Sequence, residues 1–273
     1  MAGTTNTNEP QINFRELVAI EQAYKNTRSN IDTFLTWYNK LENIDSKEEA
    51  TNLINKAISF IEASTANFSI AVRELNVDFV YQLAQVHEFL VSQRVKEAVE
   101  GAGCKLQGFE YRLKTRSSLA RKLKSWGDEA LSDDTTIQNA NFWGELSSEI
   151  MDCLRFTAML DVDSFVESYE KIMNYLGSYN YHIKYIRNTF GNKDNSYRGV
   201  NTNIINESGY VFELQFHTLA SYNAKDEAHK YYEIVRLSDQ YPPEEVDAAL
   251  RKQEELFGAV VVPVNIEKIK NVA

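Results

Sequence analysis

A long stretch without helix-breaking residues constrains the fold of this 273-residue chain more than any other feature. Between Asn13 and Glu100 there is no proline and no glycine. Apolar residues recur there at spacings of three and four, which is the period of a helix with one buried face. We therefore predict an all-helical region over residues 13–103, behind a disordered tail at 1–12.

Two local signals divide this region into separate helices. Ser46 and Glu49 form a capping-box pattern, which predicts that a helix starts at this point. A further helix is predicted from about Asp78 to Glu100, because Gly101 and Gly103 suit a helix C-terminus.

Short segments of alternating polarity follow Gly103 and indicate a change of architecture. They predict strands at 104–115, 152–160, 181–187, 199–206 and 210–217, the last two joined by a hairpin turn at Asn206–Gly209. Helices are predicted at 117–125, 163–177, 219–240 and 243–256, and a polar loop at 132–148. The sequence thus predicts an α+β fold, in which a mixed sheet over 104–260 is flanked by helices and followed by a C-terminal tail at 261–273.

Charge and composition exclude several classes of protein. The formal net charge is −10, whereas a non-specific nucleic-acid binder needs a basic surface. No apolar run approaches the ~20 residues of a membrane span, and the polar N-terminus lacks a classical signal peptide. Cys104 and Cys153 have no metal-ligand spacing and suit small packing residues. We expect a protein without a membrane segment, either cytoplasmic or secreted into a target cell without a classical signal.

One predicted strand, FELQFHT at 212–218, has chemistry on its polar face. Phe212, Leu214 and Phe216 alternate with Glu213, Gln215 and His217. Half-buried strands usually turn their polar side to solvent. A carboxylate, an amide and an imidazole in a row are also what a substrate-binding face would offer.

Two further segments offer groups that bind phosphate and metal ions. YRLKTRSSLARKLK, residues 111–124, is the dense basic segment of an acidic chain and is either a solvated helix face or a phosphate clamp. Asp152 heads an apolar strand, where a carboxylate needs either an ion pair, for instance with Arg155, or a bound cation such as Mg²⁺. If the strands of Asp152 and Glu213 share a sheet, both carboxylates converge on one cation.

A polar loop, NKDNSYRGVNT at 192–202, carries an aromatic residue before the strand that follows. Tyr197 is either packed against the protein or free to stack on a nucleobase. The four histidines lack a zinc-like spacing.

Together these motifs resemble the synthetase domain of the RelA/SpoT alarmone family, in order along residues 109–236. That resemblance implies transfer of pyrophosphate from ATP to the 3′-hydroxyl of a guanine nucleotide, with Mg²⁺ as cofactor. The family pattern R-x-K-x-x-x-S-x-x-R-K, which holds the ATP, is met by Arg112, Lys114, Ser118, Arg121 and Lys122. The resemblance implies that Asp152 and Glu213 are the catalytic and metal-binding carboxylates. On the acceptor side the resemblance assigns Lys193, Asn195, Tyr197, Asn201, Gln215 and His217, with Tyr197 stacking on the base.

Departures from the family pattern concentrate on the acceptor side. The arginine of D-x-x-G-x-R stands two places early, as Arg155, and Asn201 and His217 replace a histidine and an arginine. The chain therefore resembles a divergent branch, similar to the synthetase-like domains of bacterial toxins and effectors.

This divergence leaves several acceptors and roles open. Adenine nucleotides and the 3′ end of tRNA are alternative acceptors, with tRNA disfavoured by the acidic charge. A non-catalytic nucleotide- or partner-binding module is the alternative from another class. The apolar faces of the helical region 13–103 either pack into the core of this protein or form a surface for a protein partner or for self-association.

Overall fold

The computed structural model describes residues 47–133, 140–191 and 197–272. The helices are α1 (Lys47–Gly101), α2 (Arg116–Asp133), α3 (Ala140–Ser148), α4 (Phe165–Gly177), α5 (Leu219–Arg236) and α6 (Pro243–Gly258). The strands are β1 (Lys105–Leu106), β2 (Arg155–Met159), β3 (His182–Asn188), β4 (Val200–Ile205) and β5 (Val211–His217). Short 3₁₀ turns lie at Phe109–Tyr111, Ser238–Gln240 and Ile266–Lys268. The protein has the predicted α+β fold.

The chain divides into two compact units, and the boundary falls within α1. The first unit comprises the described residues up to Leu83 together with Thr115–Ile150. The second comprises Ala84–Lys114 and the chain from Met151 onward. The domain bounds inferred from the sequence remain a prediction.

The first unit is helical, and two helix predictions are corrected within it. α1 is one helix of 55 residues rather than two, because nothing between its ends interrupts the backbone hydrogen bonding. The predicted loop at 132–148 is wrong over 140–148, which form α3. Trp143, Ser147 and Ile150 recur at helical spacing and are buried, and the Trp143 indole donates to Ser69 Oγ at 2.8 Å. Burial of this tryptophan stabilises a helix in a segment whose polar composition predicts a loop.

The second unit contains a five-stranded mixed sheet in the order β1-β2-β5-β4-β3. β2 and β5 are parallel, and the other neighbouring strands are antiparallel. The predicted hairpin is confirmed, since Gly209 has a φ of 84° and its N–H donates to Asn206 at 3.0 Å. The strand predicted at 104–115 shrinks to β1 and a 3₁₀ turn, because Gly108 turns the chain at a φ of 60°.

Register separates the sheet into an apolar and a polar face. Phe156 is paired with Leu214, and Phe216 of the same face packs its ring 4.8 Å from that of Tyr169 on α4. The opposite face carries the pairs Arg155–Glu213, Thr157–Gln215, Asn201–Gln215 and Asn203–Glu213. Glu213, Gln215 and His217 are nevertheless buried. The polar side of FELQFHT therefore does not face bulk water.

The segment after α6 attaches to the sheet edge formed by β3. Val272 pairs with Ile186, and the Asn188 amide donates to the carbonyls of Ile266 and Ile269 at 2.9 Å. Within 47–133, 140–191 and 197–272, no helix combines the length and apolar character that a membrane span requires.

Candidate active site

The backbone brings the start of the basic segment against the residues that precede β2. The Lys114 N–H donates to the Cys153 carbonyl and the Arg155 N–H to the Arg112 carbonyl, both at 2.8 Å. This antiparallel pairing places Lys114 Nζ 3.3 Å from Asp152 Oδ2. Asp152 thus has an ion-pair partner, which is Lys114 rather than the Arg155 considered from the sequence.

Glu213 lies in the middle of β5 and is only 9% exposed. Gln215 Nε2 donates to its Oε2 at 2.9 Å, and Arg155 Nε lies 4.0 Å from the same oxygen. Burial raises the pKa of the Glu213 carboxyl, and the negative charge of Asp152 raises it further, while Arg155 opposes both effects. The charge of Asp152, three residues before β2, therefore acts on the Glu213 carboxyl of β5.

Asp152 and Glu213 are the residues that would hold a Mg²⁺ ion. Among the described residues, no group of three or more Asp, Glu, His or Cys side chains is placed to hold a metal ion. Mg²⁺ commonly takes one or two protein carboxylates and completes its shell with water and substrate phosphates. A cation beside Asp152 and Glu213 would also offset the repulsion that raises the pKa of Glu213.

Arg112, assigned to ATP by the resemblance, is held by α1 within the second unit. Its guanidinium forms an ion pair with Glu88 and donates hydrogen bonds to Ser92 Oγ at 3.0 Å and to the Phe109 carbonyl at 2.9 Å. The same group lies 4.3 Å from the centre of the Phe109 ring. Its donors are thus directed to the protein in this structure.

Three other residues assigned to ATP belong to the first unit, on α2. Arg121 donates to Ser118 Oγ at 3.3 Å, and Lys122 Nζ lies 4.5 Å from the centre of the Trp126 ring. Ser118 and Arg121 are near the start of the helix, and Arg121 is exposed. The described contacts therefore leave the outer side of Arg121 open to solvent.

On the acceptor side, three assigned residues meet in one hydrogen-bond network. Tyr197 Oη is 3.0 Å from Asn201 Oδ1 and 2.9 Å from His217 Nε2, and His217 Nδ1 is 2.9 Å from Ser221 Oγ. Burial lowers the pKa of His217 to about 3, aided by the charge of Lys225. His217 is therefore neutral at physiological pH.

Two other residues assigned to the acceptor side, Lys193 and Asn195, lie outside the described residues.

Gly199 allows this network to form, and the sequence analysis did not single it out. A Cβ at position 199 would lie 2.7 Å from His217 Cε1 and 2.9 Å from Tyr197 Oη. Only a glycine lets the backbone approach both side chains so closely. A glycine between a polar loop and a strand was the signal in the sequence.

Lys225 on α5 is a further residue that the sequence analysis missed. α5 starts at a capping box formed by Thr218 and Ser221, directly after β5. Lys225 Nζ donates to Gln215 Oε1 at 2.7 Å, so it faces the polar side of the sheet. Burial lowers the pKa of Lys225 to about 8, as does the positive charge of Arg155. The buried residues of α5 are Ser221, Ala224 and Ala228, and Lys225 is close to them along the helix. This position was the signal in the sequence that the side chain faces the sheet.

A cavity of about 230 Å³ opens beside this part of the second unit. Arg155 and Lys225 contribute to its wall, whereas Asp152 and Glu213 do not. The remaining lining residues are Gln107, Gly108, Tyr111, Thr157, Tyr222, Asp226 and His229. Neither carboxylate therefore lines the cavity, although Arg155 of its wall lies 4.0 Å from Glu213.

Comparison with known proteins does not identify the chain. No protein family and no curated protein sequence matches it. A chain in the crystal structure of the complex between the type VI effector Tas1 and its immunity protein aligns with a TM-score of 0.44 and 18% identity, over 70% of this chain and 96% of its own. The structure of smu.1046c from Streptococcus mutans UA159 aligns with a TM-score of 0.39 and 16% identity, over 66% and 86% respectively. Likenesses this weak do not establish a shared fold or activity.

Proposed function

We propose that the protein is an ATP-dependent pyrophosphokinase that modifies the 3′-hydroxyl of a purine nucleotide, with guanine nucleotides as the first choice of acceptor. The observation that carries this proposal is the pair Asp152 and Glu213, each beside a cationic side chain, in which the charge of Asp152 acts on the buried carboxyl of Glu213. Simple nucleotide binding does not require two such carboxylates. The motif resemblance supplies the reaction type, and the same resemblance suggests a toxin or effector.

In the proposed reaction the acceptor 3′-oxygen attacks the β-phosphorus of ATP. A bond forms between that oxygen and the β-phosphorus, the bond from the β-phosphorus to the α,β-bridging oxygen breaks, and AMP leaves. Glu213 accepts the proton of the attacking hydroxyl, for which it must be ionised. Arg155 and Lys225 favour the ionised form, because their charges lower the Glu213 pKa against the effect of burial.

Charge neutralisation is the other task of the site, because phosphoryl transfer depends mainly on positioning and electrostatics. Lys114, which lies 3.3 Å from Asp152, is the proposed ligand of a phosphate oxygen. Mg²⁺ held by Asp152 and Glu213 would polarise the phosphate groups when it is bound. Ser118, Arg121 and Lys122 are assigned to the donor by the resemblance alone.

Acceptor choice follows from the neutral network of Tyr197, Asn201 and His217. His217 provides no positive charge for a phosphate, and an aromatic ring stacks on any base. These features favour a relaxed choice of base, and the resemblance then ranks guanine nucleotides first and adenine nucleotides second. The net charge of −10 disfavours tRNA.

Incubation with γ-labelled ATP and Mg²⁺ tests the proposal. GDP, GTP, ADP, ATP and deacylated tRNA are supplied separately and then in equimolar competition, and the products are separated by chromatography. We expect labelled guanine nucleotides and weaker labelling of adenine nucleotides. Exclusive labelling of tRNA overturns the acceptor ranking, and the absence of any labelled product contradicts the enzymatic proposal in favour of a binding module.

A further inference from the structure

We propose that the cavity beside Arg155 and Lys225 is an anion subsite that binds the 5′-phosphates of the acceptor nucleotide. This inference rests on the proposed function for the identity of the ligand. The cavity itself, its charges and its size come from the second unit alone.

The first argument is the state of the Arg155 guanidinium. Its contact with Glu213, at 4.0 Å, is too long for a hydrogen bond. Across the part of the chain that the structure describes, that guanidinium makes no side-chain hydrogen bond to the protein. Arg112 in the same unit has its donors directed to Glu88, Ser92 and Phe109. Arg155 is thus an arginine whose planar donor fork remains available at a cavity wall, and phosphate oxygens match that fork.

The second argument is the position of Lys225 next to Arg155. Its Nζ is fixed by the neutral amide oxygen of Gln215 and lies 5.9 Å from the centre of the Tyr222 ring. Two cationic side chains therefore line a small cavity, against one carboxylate, Asp226, and the imidazole of His229. Two like charges this close repel each other, and a bound oxyanion relieves that repulsion.

Size decides between a whole nucleotide and part of one. One water molecule occupies about 30 Å³ in the liquid, and cavities for entire small-molecule ligands start at about 300 Å³. A volume of about 230 Å³ therefore suits a phosphate or diphosphate group with some water, but not a complete nucleotide.

Location decides between the two nucleotides of the reaction. Arg155 and Lys225 both lie on the side of Glu213, which takes the proton of the acceptor hydroxyl in the proposed mechanism. None of Glu213, Lys114 and Asp152 lines the cavity, but Arg155 of the cavity wall lies 4.0 Å from Glu213, whereas Asp152 is paired with Lys114. In an in-line displacement the attacking and leaving groups are on opposite sides of the phosphorus. The cavity consequently belongs with the acceptor.

Calorimetric titration of the full chain tests this assignment with inorganic pyrophosphate, GDP, guanosine and a non-hydrolysable ATP analogue as separate ligands. Arg155→Ala and Lys225→Ala are compared with the wild type, with Arg155→Lys as a conservative variant. Lys230→Ala is the matched control, because Lys230 is on the same helix and does not line the cavity. Thermal unfolding confirms that each variant is folded.

We expect each alanine variant to weaken GDP and pyrophosphate binding by about tenfold to a hundredfold, which is the usual effect of losing a charged hydrogen bond. Guanosine and the ATP analogue should bind as to the wild type, and Arg155→Lys should recover part of the GDP affinity. Weakened ATP-analogue binding with unchanged GDP binding would assign the cavity to the donor and overturn the proposal. Unchanged GDP and pyrophosphate binding, or none to the wild type, also overturns it.

The transfer assay separates failure of this subsite from failure of the proposed function. Pyrophosphate binding that depends on Arg155 and Lys225, without any labelled product, supports the anion subsite and contradicts the enzyme. Labelled product with binding unaffected by either alanine variant contradicts the subsite and leaves the enzyme in place.

Discussion

At the scale of single residues, burial decides which charges the candidate site can use. His217 is fully buried, bonded through both ring nitrogens and neutral, so it positions Tyr197 rather than binding an anion. Arg155 lies 4.0 Å from Glu213, and Lys225 donates to Gln215, so both side chains are beside the polar face. Positive charge on this polar face thus comes from neighbouring elements such as β2 and α5, and not from His217 at the end of β5.

Neutral burial of His217 predicts that acid destabilises the protein. The pKa of His217 is about 3 in the folded state, so below its ordinary pKa of 6.5 the unfolded chain binds the extra proton. Stability contributed by neutral His217 is therefore present above pH 6.5 and lost as the pH falls from there toward 3. We expect a loss of about 2 kcal/mol in the free energy of unfolding between pH 7.5 and 5.0.

Urea unfolding of the wild type, His217→Gln and His182→Gln at the two pH values measures this contribution. The His217→Gln variant should lose most of that pH dependence, whereas the exposed His182 on β3 should be replaceable without effect. His87, whose pKa is also lowered by burial, is unchanged in all three proteins. The same pH dependence in His217→Gln as in the wild type would contradict the neutral state of His217.

Lys122 provides a residue-scale test of the donor assignment. Loss of one charged contact to phosphate costs about 1.5–3 kcal/mol, so Lys122→Ala should weaken binding of a non-hydrolysable ATP analogue by about tenfold or more. Lys124→Ala is the control, because Lys124 is on the same helix, is exposed and pairs with Asp128. Equal affinities in a calorimetric titration of both variants and the wild type would indicate that the basic segment is a solvated helix face.

At the scale of elements, close packing of α2 on α3 depends on a glycine. A Cβ at Gly127 would lie 2.3 Å from Cη2 of Trp143, which is buried and hydrogen-bonded to Ser69. Alanine is the better helix former by about 1 kcal/mol, but overpacking against a fixed ring costs about 1–3 kcal/mol. We expect Gly127→Ala to lower the melting temperature of the first unit.

Thermal unfolding followed by tryptophan fluorescence measures this effect. Gly177→Ala, near the end of α4, is the matched control, because a Cβ there meets nothing within 4 Å. A Gly127→Ala variant as stable as the wild type would show that Trp143 moves aside without cost.

The elements also show which features the sequence could predict. β4, β5 and their turn were predictable, because alternation and the Asn206–Gly209 turn are local signals. Helix α3 was missed because its stability comes from Trp143 contacting Ser69, 74 residues earlier. The Arg112–Glu88 ion pair joins residues 24 apart, and no local pattern predicts it.

At the scale of the whole molecule, the predicted donor residues are divided between the two units, with Arg112 and Lys114 in the same unit as the candidate catalytic residues. Asp152, Glu213 and the cavity lie in the second unit, whereas Ser118, Arg121 and Lys122 lie in the first. The motif order along the chain predicted all of these residues together. The sheet register then explains how Asp152 and Glu213, 61 positions apart in sequence, become neighbours: Leu154 accepts the backbone hydrogen bond of Glu213 at 3.0 Å.

The central claim is that Asp152 and Glu213 form one catalytic carboxylate pair. Asp152→Asn and Glu213→Gln keep the shape of each side chain and remove its charge. Glu167→Gln is the control, because Glu167 is an exposed carboxylate on α4 that pairs only with Lys171 among the described residues. Circular dichroism establishes that all three variants are folded.

The decisive measurement is the initial rate of transfer from γ-labelled ATP to GDP by each of these variants and by the wild type. Loss of about 3 kcal/mol of transition-state stabilisation predicts a fall of roughly a hundredfold or more in both Asp152→Asn and Glu213→Gln, with the Glu167→Gln rate unchanged. A wild-type rate in either Asp152→Asn or Glu213→Gln would contradict the two-carboxylate site.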